Sequence, residues 1–114
     1  MASDPADRIL AYAQANLTAP GLSVTTVARA HGISARHLHH LCASRGLTFT
    51  AWVRHERLSR IYRDLLDPGL ARHSVAEIAA RWGLRDPSNL GRLLRAEFGR
   101  TATEIRNSVA RQHV

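Results

Sequence analysis

Residues 24–33 read Val24-Thr-Thr-Val27-Ala28-Arg-Ala-His-Gly32-Ile33, and the same pattern returns at residues 75–84 as Val75-Ala-Glu-Ile78-Ala79-Ala-Arg-Trp-Gly83-Leu84. The chain therefore repeats itself at a period of about 51 residues. In each copy a small residue, Ala28 or Ala79, lets two helices approach closely. Gly32 and Gly83 follow where a sharp interhelical turn needs a left-handed backbone. Ile33 and Leu84 plug the corner. Leu38, Leu41 and Cys42 in the first copy, and Leu90, Leu93 and Leu94 in the second, anchor the inner face of the helix that comes next. Its outer face is left open. This is the helix-turn-helix pattern, present twice, and in such a pair the second helix is the one suited to a major groove.

Outward from these runs, Gly, Pro and Ser/Thr punctuation divides the rest of the sequence into helices, and no stretch alternates as a strand would. The first helix is expected from Pro5 to Leu17, with Ile9, Leu10, Ala13 and Leu17 inward. Ser23 caps the second, which runs to His31. The third follows Ser34 and stops before Gly46, and the fourth follows Thr48 and runs to Leu66, ahead of Asp67-Pro68-Gly69. The capping box Ser74-Val-Ala-Glu77 opens the fifth. The sixth is expected to have Asp86 as its N-cap, Pro87 at its first position and Gly99 as its stop. A second capping box, Thr101-Ala-Thr-Glu104, opens the seventh. The expected fold is all-α: seven helices forming two helix-turn-helix subdomains joined by a long linker helix. Within one domain the first unit covers residues 5–47, the linker 48–66, the second unit 67–109 and a tail 110–114. The linker helix, at 1.5 Å per residue, spans about 27 Å, close to the ~34 Å repeat of major grooves on one side of B-DNA.

Charge points to a polyanionic partner. All 16 basic residues are Arg, against nine acidic ones, for a formal net charge of +7. Residues 24–47 hold Arg29, Arg36 and Arg45 with no acid at all. Arg suits this task because its planar fork matches phosphate and the guanine edge. Cys42 is the single cysteine, so no internal disulfide can form. No apolar run of 18 residues and no basic, apolar leader occurs, which points to a cytoplasmic chain with no membrane partner. Neither a glycine-rich phosphate loop nor a set of acid, base and nucleophile is evident, so an enzyme is not expected. His37-Leu-His39-His40 with Cys42 lacks the i, i+4 pair that a helical zinc site uses. No metal and no cofactor are expected, and Cys42 falls on a core position.

These runs, with Trp52-Val-Arg-His-Glu-Arg57-Leu58, Ala96-Glu-Phe-Gly99-Arg-Thr101 and Glu104-Ile-Arg106, resemble the AraC/XylS family of transcriptional regulators over about residues 5–109. The resemblance implies a DNA-binding domain with two reading heads in successive major grooves, regulating transcription initiation, usually by activation. Double-stranded DNA is then the partner, with RNA polymerase as a second. Many members carry an effector-binding and dimerisation domain ahead of this one, so the chain reads as a stand-alone member or as the C-terminal piece of a longer regulator. Matching to the family places base contacts at Arg36, His39 and His40 in helix three, and at Arg92 in helix six, with Ser88 and Asn89 one turn earlier. Ser34, Arg45, Arg85 and Arg95 are the phosphate-contact candidates. The sequence departs from the family where aromatics are usual: Leu84, Leu90, Leu94 and Cys42 stand there, and Ala102 replaces a proline. These changes remove core volume, mostly from the second unit, so most sequence information is expected to pass through the first. Two other readings stay open at this point. One is a degenerate regulator domain that docks on RNA polymerase or another regulator without reading DNA. The other is a metal or redox sensor built on the histidines and Cys42.

Overall fold

The computed structural model describes residues 4–112, with the backbone alone for Pro87 and residues 110–112. Seven α-helices occur among them: α1 Pro5–Ala15, α2 Val24–Ala30, α3 Ala35–Ala43, α4 Phe49–Leu65, α5 Val75–Arg81, α6 Leu90–Phe98 and α7 Ala102–Gln112. No strand occurs among the described residues. The all-α expectation holds, and α7 runs past the point where a tail was expected; residues 113–114 lie outside the described part. The chain divides into two compact units, one ending at Glu56 and the other beginning at Arg57. That division falls inside α4.

In the first unit α1, α2 and α3 pack on one another. Ile9, Ala13, Leu17, Val27, Ala28, Leu38 and Cys42 are buried, and so are Phe49 and Val53 from the start of α4. In the second, Leu58, Ile61 and Leu65 of α4 join Ile78, Ala79, Leu90, Leu94 and Ile105 in one cluster. Trp82 and Phe98 border it. The Trp82 indole N–H donates to Asp64 at 2.7 Å, and Arg60 lies over its ring, 5.8 Å from the centroid. Tyr62 and Phe98 pair at 4.6 Å between centroids. These rings supply bulk beside a cluster whose own members are aliphatic.

The repeated run makes the same turn twice. Gly32 and Gly83 have φ of +66° and +86°. The N–H of Ile33 donates to the Ala28 carbonyl and that of Leu84 to the Ala79 carbonyl, both at 3.0 Å. This is the six-residue closure that satisfies a helix's last carbonyls when the following residue is left-handed. A Cβ at Gly32 would meet nothing within 4 Å, so the backbone alone decides the effect of a substitution. Gly32→Ala is expected to destabilise the first unit by about 1–2 kcal/mol, read as a lower urea midpoint at unchanged slope.

Helix starts follow the sequence with two corrections. Ser23, Ser34, Ser74 and Asp4 all cap through their side chains, and Thr101 and Glu104 bond reciprocally as expected. The box at Ser74 is only half made. Its hydroxyl accepts from the Glu77 N–H, but the Glu77 carboxylate turns to the His73 ring at 3.1 Å. The opening of helix six also differs. The Asp86 carboxylate accepts from both the N–H and the hydroxyl of Ser88, at 3.0 and 2.7 Å. Bonds reaching only two residues ahead tighten the backbone into a 3-10 turn over Pro87–Asn89, and α6 begins at Leu90. Ser88 and Asn89 therefore precede α6 instead of lying within it. Helix one is shorter than expected, ending at Ala15, although Leu17 is buried beyond it.

One tie in the first unit joins distant parts of the sequence. Arg45, just past α3, reaches the carboxylates of Asp4 and Asp7 at 3.4 and 2.8 Å. The bond from the Ala6 N–H, and then the charge of Arg45, outweigh burial and hold the Asp4 carboxyl below its ordinary 3.8. A lowered folded-state value stabilises the fold above the unfolded value, and that contribution is lost as pH falls through the folded one. Asp4→Asn is therefore expected to flatten the dependence of melting temperature on pH below about pH 4; an unchanged acid profile would show that the tie adds nothing.

Candidate nucleic-acid interface

The candidate residues of α3 share one face because the opposite face is spent on the core. Leu38 and Cys42 are buried and Leu41 is half-buried. Arg36, His39, His40 and Ala43, spaced i, i+3, i+4 and i+7, are all exposed. That spacing lines one side of a helix. Ser34 holds the start of this helix, its hydroxyl accepting from the His37 N–H at 3.0 Å. Burial pushes the Cys42 thiol up, as suits an inert core position and not a reactive thiolate.

Beside α3, a shallow hollow is lined by Thr25, Ala28, Arg29, Ile33 and Ala35. Arg29 is exposed in the last turn of α2, next to the N-terminus of α3, and extends the basic surface. It was not singled out from the sequence. The signal was its place three residues before the turn glycine.

In the second unit Leu90 and Leu94 are buried, while Gly91, Arg92, Arg95 and Ala96 are exposed. Arg92 donates through Nε to the Asn89 side-chain oxygen at 2.8 Å. Arg95 stands 3.9 Å from Glu104, a loose exposed pair. Arg85 is exposed just ahead of the 3-10 turn. The bonds from Ser88, the side-chain one first, lower the Asp86 carboxyl and keep it charged. An anion at that end of the turn would meet a fixed negative charge.

Several sequence candidates are thus already engaged within the chain, Asn89 and Arg92 with each other and Arg95 loosely with Glu104. Arg45 is held by Asp4 and Asp7, and the Ser88 hydroxyl donates to Asp86. Other arginines serve the fold. Arg106 donates to the carbonyls of Leu70, at 3.2 Å, and His73, and Arg100 reaches the Tyr62 hydroxyl at 3.1 Å. Arg57 is buried, and desolvation lowers its pKa. Among the described residues no three His, Cys, Asp or Glu lie close enough to hold an ion, and no helix is long and apolar enough to cross a membrane.

Residues 27–108 match the family model described as a helix-turn-helix domain. The chain is similar to the transcriptional activator NphR of a Rhodococcus species, 34% identical over 104 residues, which is 91% of this chain and 30% of that protein. It is also 32% identical over 95 residues to the transcriptional activator RhrA of Rhizobium meliloti, covering 83% of this chain and 30% of the relative. The chain thus spans about a third of the length of these relatives. Among solved structures, it superposes on the DNA-binding domain of AdpA, a global transcriptional factor crystallised with a target DNA, at TM-score 0.81 and 26% identity, over 96% of both chains. The C-terminal domain of AraT, a response regulator from Geobacillus stearothermophilus, has the same fold at TM-score 0.82 and 20% identity, over 92% of this chain and 86% of that one. With the duplicated helix-turn-helix, the family match and these relatives in agreement, the chain belongs to the AraC/XylS family of helix-turn-helix transcriptional regulators, not to an enzyme family, and corresponds to their DNA-binding domain.

Proposed function

We propose that the chain binds duplex DNA through α3 of the first unit and α6 of the second, each laid in a major groove, and that it thereby activates transcription with RNA polymerase as protein partner. The observation that carries this reading is the α3 face. Arg36, His39 and His40 stand exposed on one side of a helix whose other side is fixed by buried Leu38 and Cys42, and none of the three is hydrogen-bonded through its side chain among the described residues. A rigid helix that holds an arginine and two imidazoles toward solvent presents donors and acceptors suited to base edges. Exposed Arg29, Arg85 and Arg95, together with the capped start of α3 at Ser34, supply phosphate contacts. In the relatives, chain beyond the matched third leaves room for an effector-binding or dimerisation domain ahead of this one.

Selection from a random duplex pool tests the reading, with two conserved blocks about one helical turn apart as the expected result. On the selected site Arg36→Ala is expected to cost about 1–3 kcal/mol, the range of a bidentate base contact. On random duplex the loss should be much smaller. Equal losses on both would assign Arg36 to phosphate alone.

A further inference from the structure

We infer that Asn89 is a positioning residue that commits the second reading helix to guanine: its side-chain oxygen, bonded to Arg92 Nε, aims the guanidinium fork and is itself withdrawn from base reading. The inference rests on the DNA-reading role proposed for α6. It goes beyond that role in naming the base and the device that selects it.

The chemistry follows from counting donors and acceptors. An arginine can approach the O6 and N7 of guanine through its two terminal nitrogens, or through Nε and one terminal nitrogen. At Arg92 the Nε–H is already given to Asn89 at 2.8 Å, so the terminal pair remains for the guanine edge. The planar guanidinium is also held at one edge. Less rotamer freedom is then lost on binding than for a wholly mobile arginine. Asn89 has the complementary restriction. To read adenine, an asparagine must accept from N6 and donate to N7 at once. Its side-chain oxygen here already accepts from Arg92 and is turned toward that guanidinium, so aiming the same oxygen at an adenine N6 competes with the bond to Arg92. One bond therefore favours guanine under Arg92 and disfavours adenine under Asn89.

Neighbouring geometry supports this division of labour. Asn89 is half-buried and Arg92 exposed, so the positioning group is the more fixed of the two. Although Asn89 occupies the N-cap position of α6, its side chain makes no capping bond. Its polar group is therefore spent on Arg92 and not on the helix end. Gly91, between them, is exposed and places no side chain beside the fork.

The test compares selected duplex sequences for the unaltered chain, Arg92→Ala, Asn89→Ala and Asn89→Asp, with melting temperatures measured in parallel. Arg92→Ala should erase a guanine preference at one position of the second block, which identifies the base pair concerned. Asn89→Ala should weaken preference at that same position, from the roughly 5- to 150-fold discrimination of a bidentate pair to a few-fold. Melting temperature and affinity for random duplex should stay close to those of the unaltered chain. Asn89→Asp, which keeps an acceptor for Nε, should retain the guanine. An Asn89→Ala profile identical to the unaltered one, or loss of an adenine at an adjacent position, would overturn the inference while leaving DNA reading intact. If the unaltered chain selects no sequence in the second block, the reading role of α6 fails with it.

Discussion

Raising salt from about 50 to 200 mM is expected to weaken binding of the chain to its selected duplex by about 10²-fold. Each phosphate neutralised by an arginine releases condensed counterions, and the affinity falls as the salt concentration raised to nearly that number of contacts. Exposed Arg29, Arg81, Arg85 and Arg95 lie on or beside α3 and α6, Arg36 and Arg92 being assigned to base edges, and about four phosphate contacts correspond to a loss of that size. Arg45, Arg57, Arg100 and Arg106 are left out of the count, because each is paired within the fold or buried. The net charge of +7 overstates the effect for the same reason. A double-logarithmic plot of affinity against salt gives the number directly. A slope near zero would remove duplex DNA as the partner and favour a domain that docks on protein alone.

Leu94→Ala is expected to lower the stability of the second unit by about 2–5 kcal/mol. Leu94 is fully buried among Leu58, Ile61, Ile78, Leu90 and Ile105. Truncation removes three side-chain carbons from water-free surroundings and leaves a cavity, and both effects add. Leu94→Phe, which restores the aromatic usual in the family, is not expected to repair anything. The cluster is already closed around a leucine, and extra volume in a filled core costs about 1–3 kcal/mol. Urea unfolding followed by Trp82 fluorescence in a Trp52→Phe background reads both variants within the second unit. If Leu94→Phe proved stabilising, the core would have to be less well filled than its burial indicates.

Much of the fold was legible because its signals are local. Ser23, Ser34 and Thr101 cap within three residues of themselves, and the two turn glycines repeat in an identical frame. Apolar spacing found the buried faces of α3 and α6, and with them the exposed faces that carry Arg36, His39, His40 and Arg92. The start of α6 was not legible in this way, because an aspartate followed by proline opens an α-helix and a 3-10 turn alike. What decides between them is whether the carboxylate bonds two or three residues ahead, and here Ser88 draws it to two. The occupation of Arg45 was not legible either: its partners Asp4 and Asp7 lie about 40 residues away in sequence. Composition registers such an arginine as positive charge, whereas its contact with acids removes it from the surface field. The Asn89–Arg92 bond was near in sequence yet also unread, since an i, i+3 spacing allows the contact without requiring it.

Arg106 and Ile105 carry a consequence for synthesis on the ribosome. The buried residues of the first unit end at Val53, so its core is complete once that residue has emerged. The second unit needs Ile105 to close its cluster, and Arg106 to bind the Leu70 and His73 carbonyls some 35 residues upstream. Chains emerge N-terminus first and units fold as they become available. The first unit is therefore complete while the second still waits for α7. Leu58, Ile61, Ile78 and Leu94 stay open to chaperones and proteases during that interval, so quality control falls more heavily on the second half of the molecule.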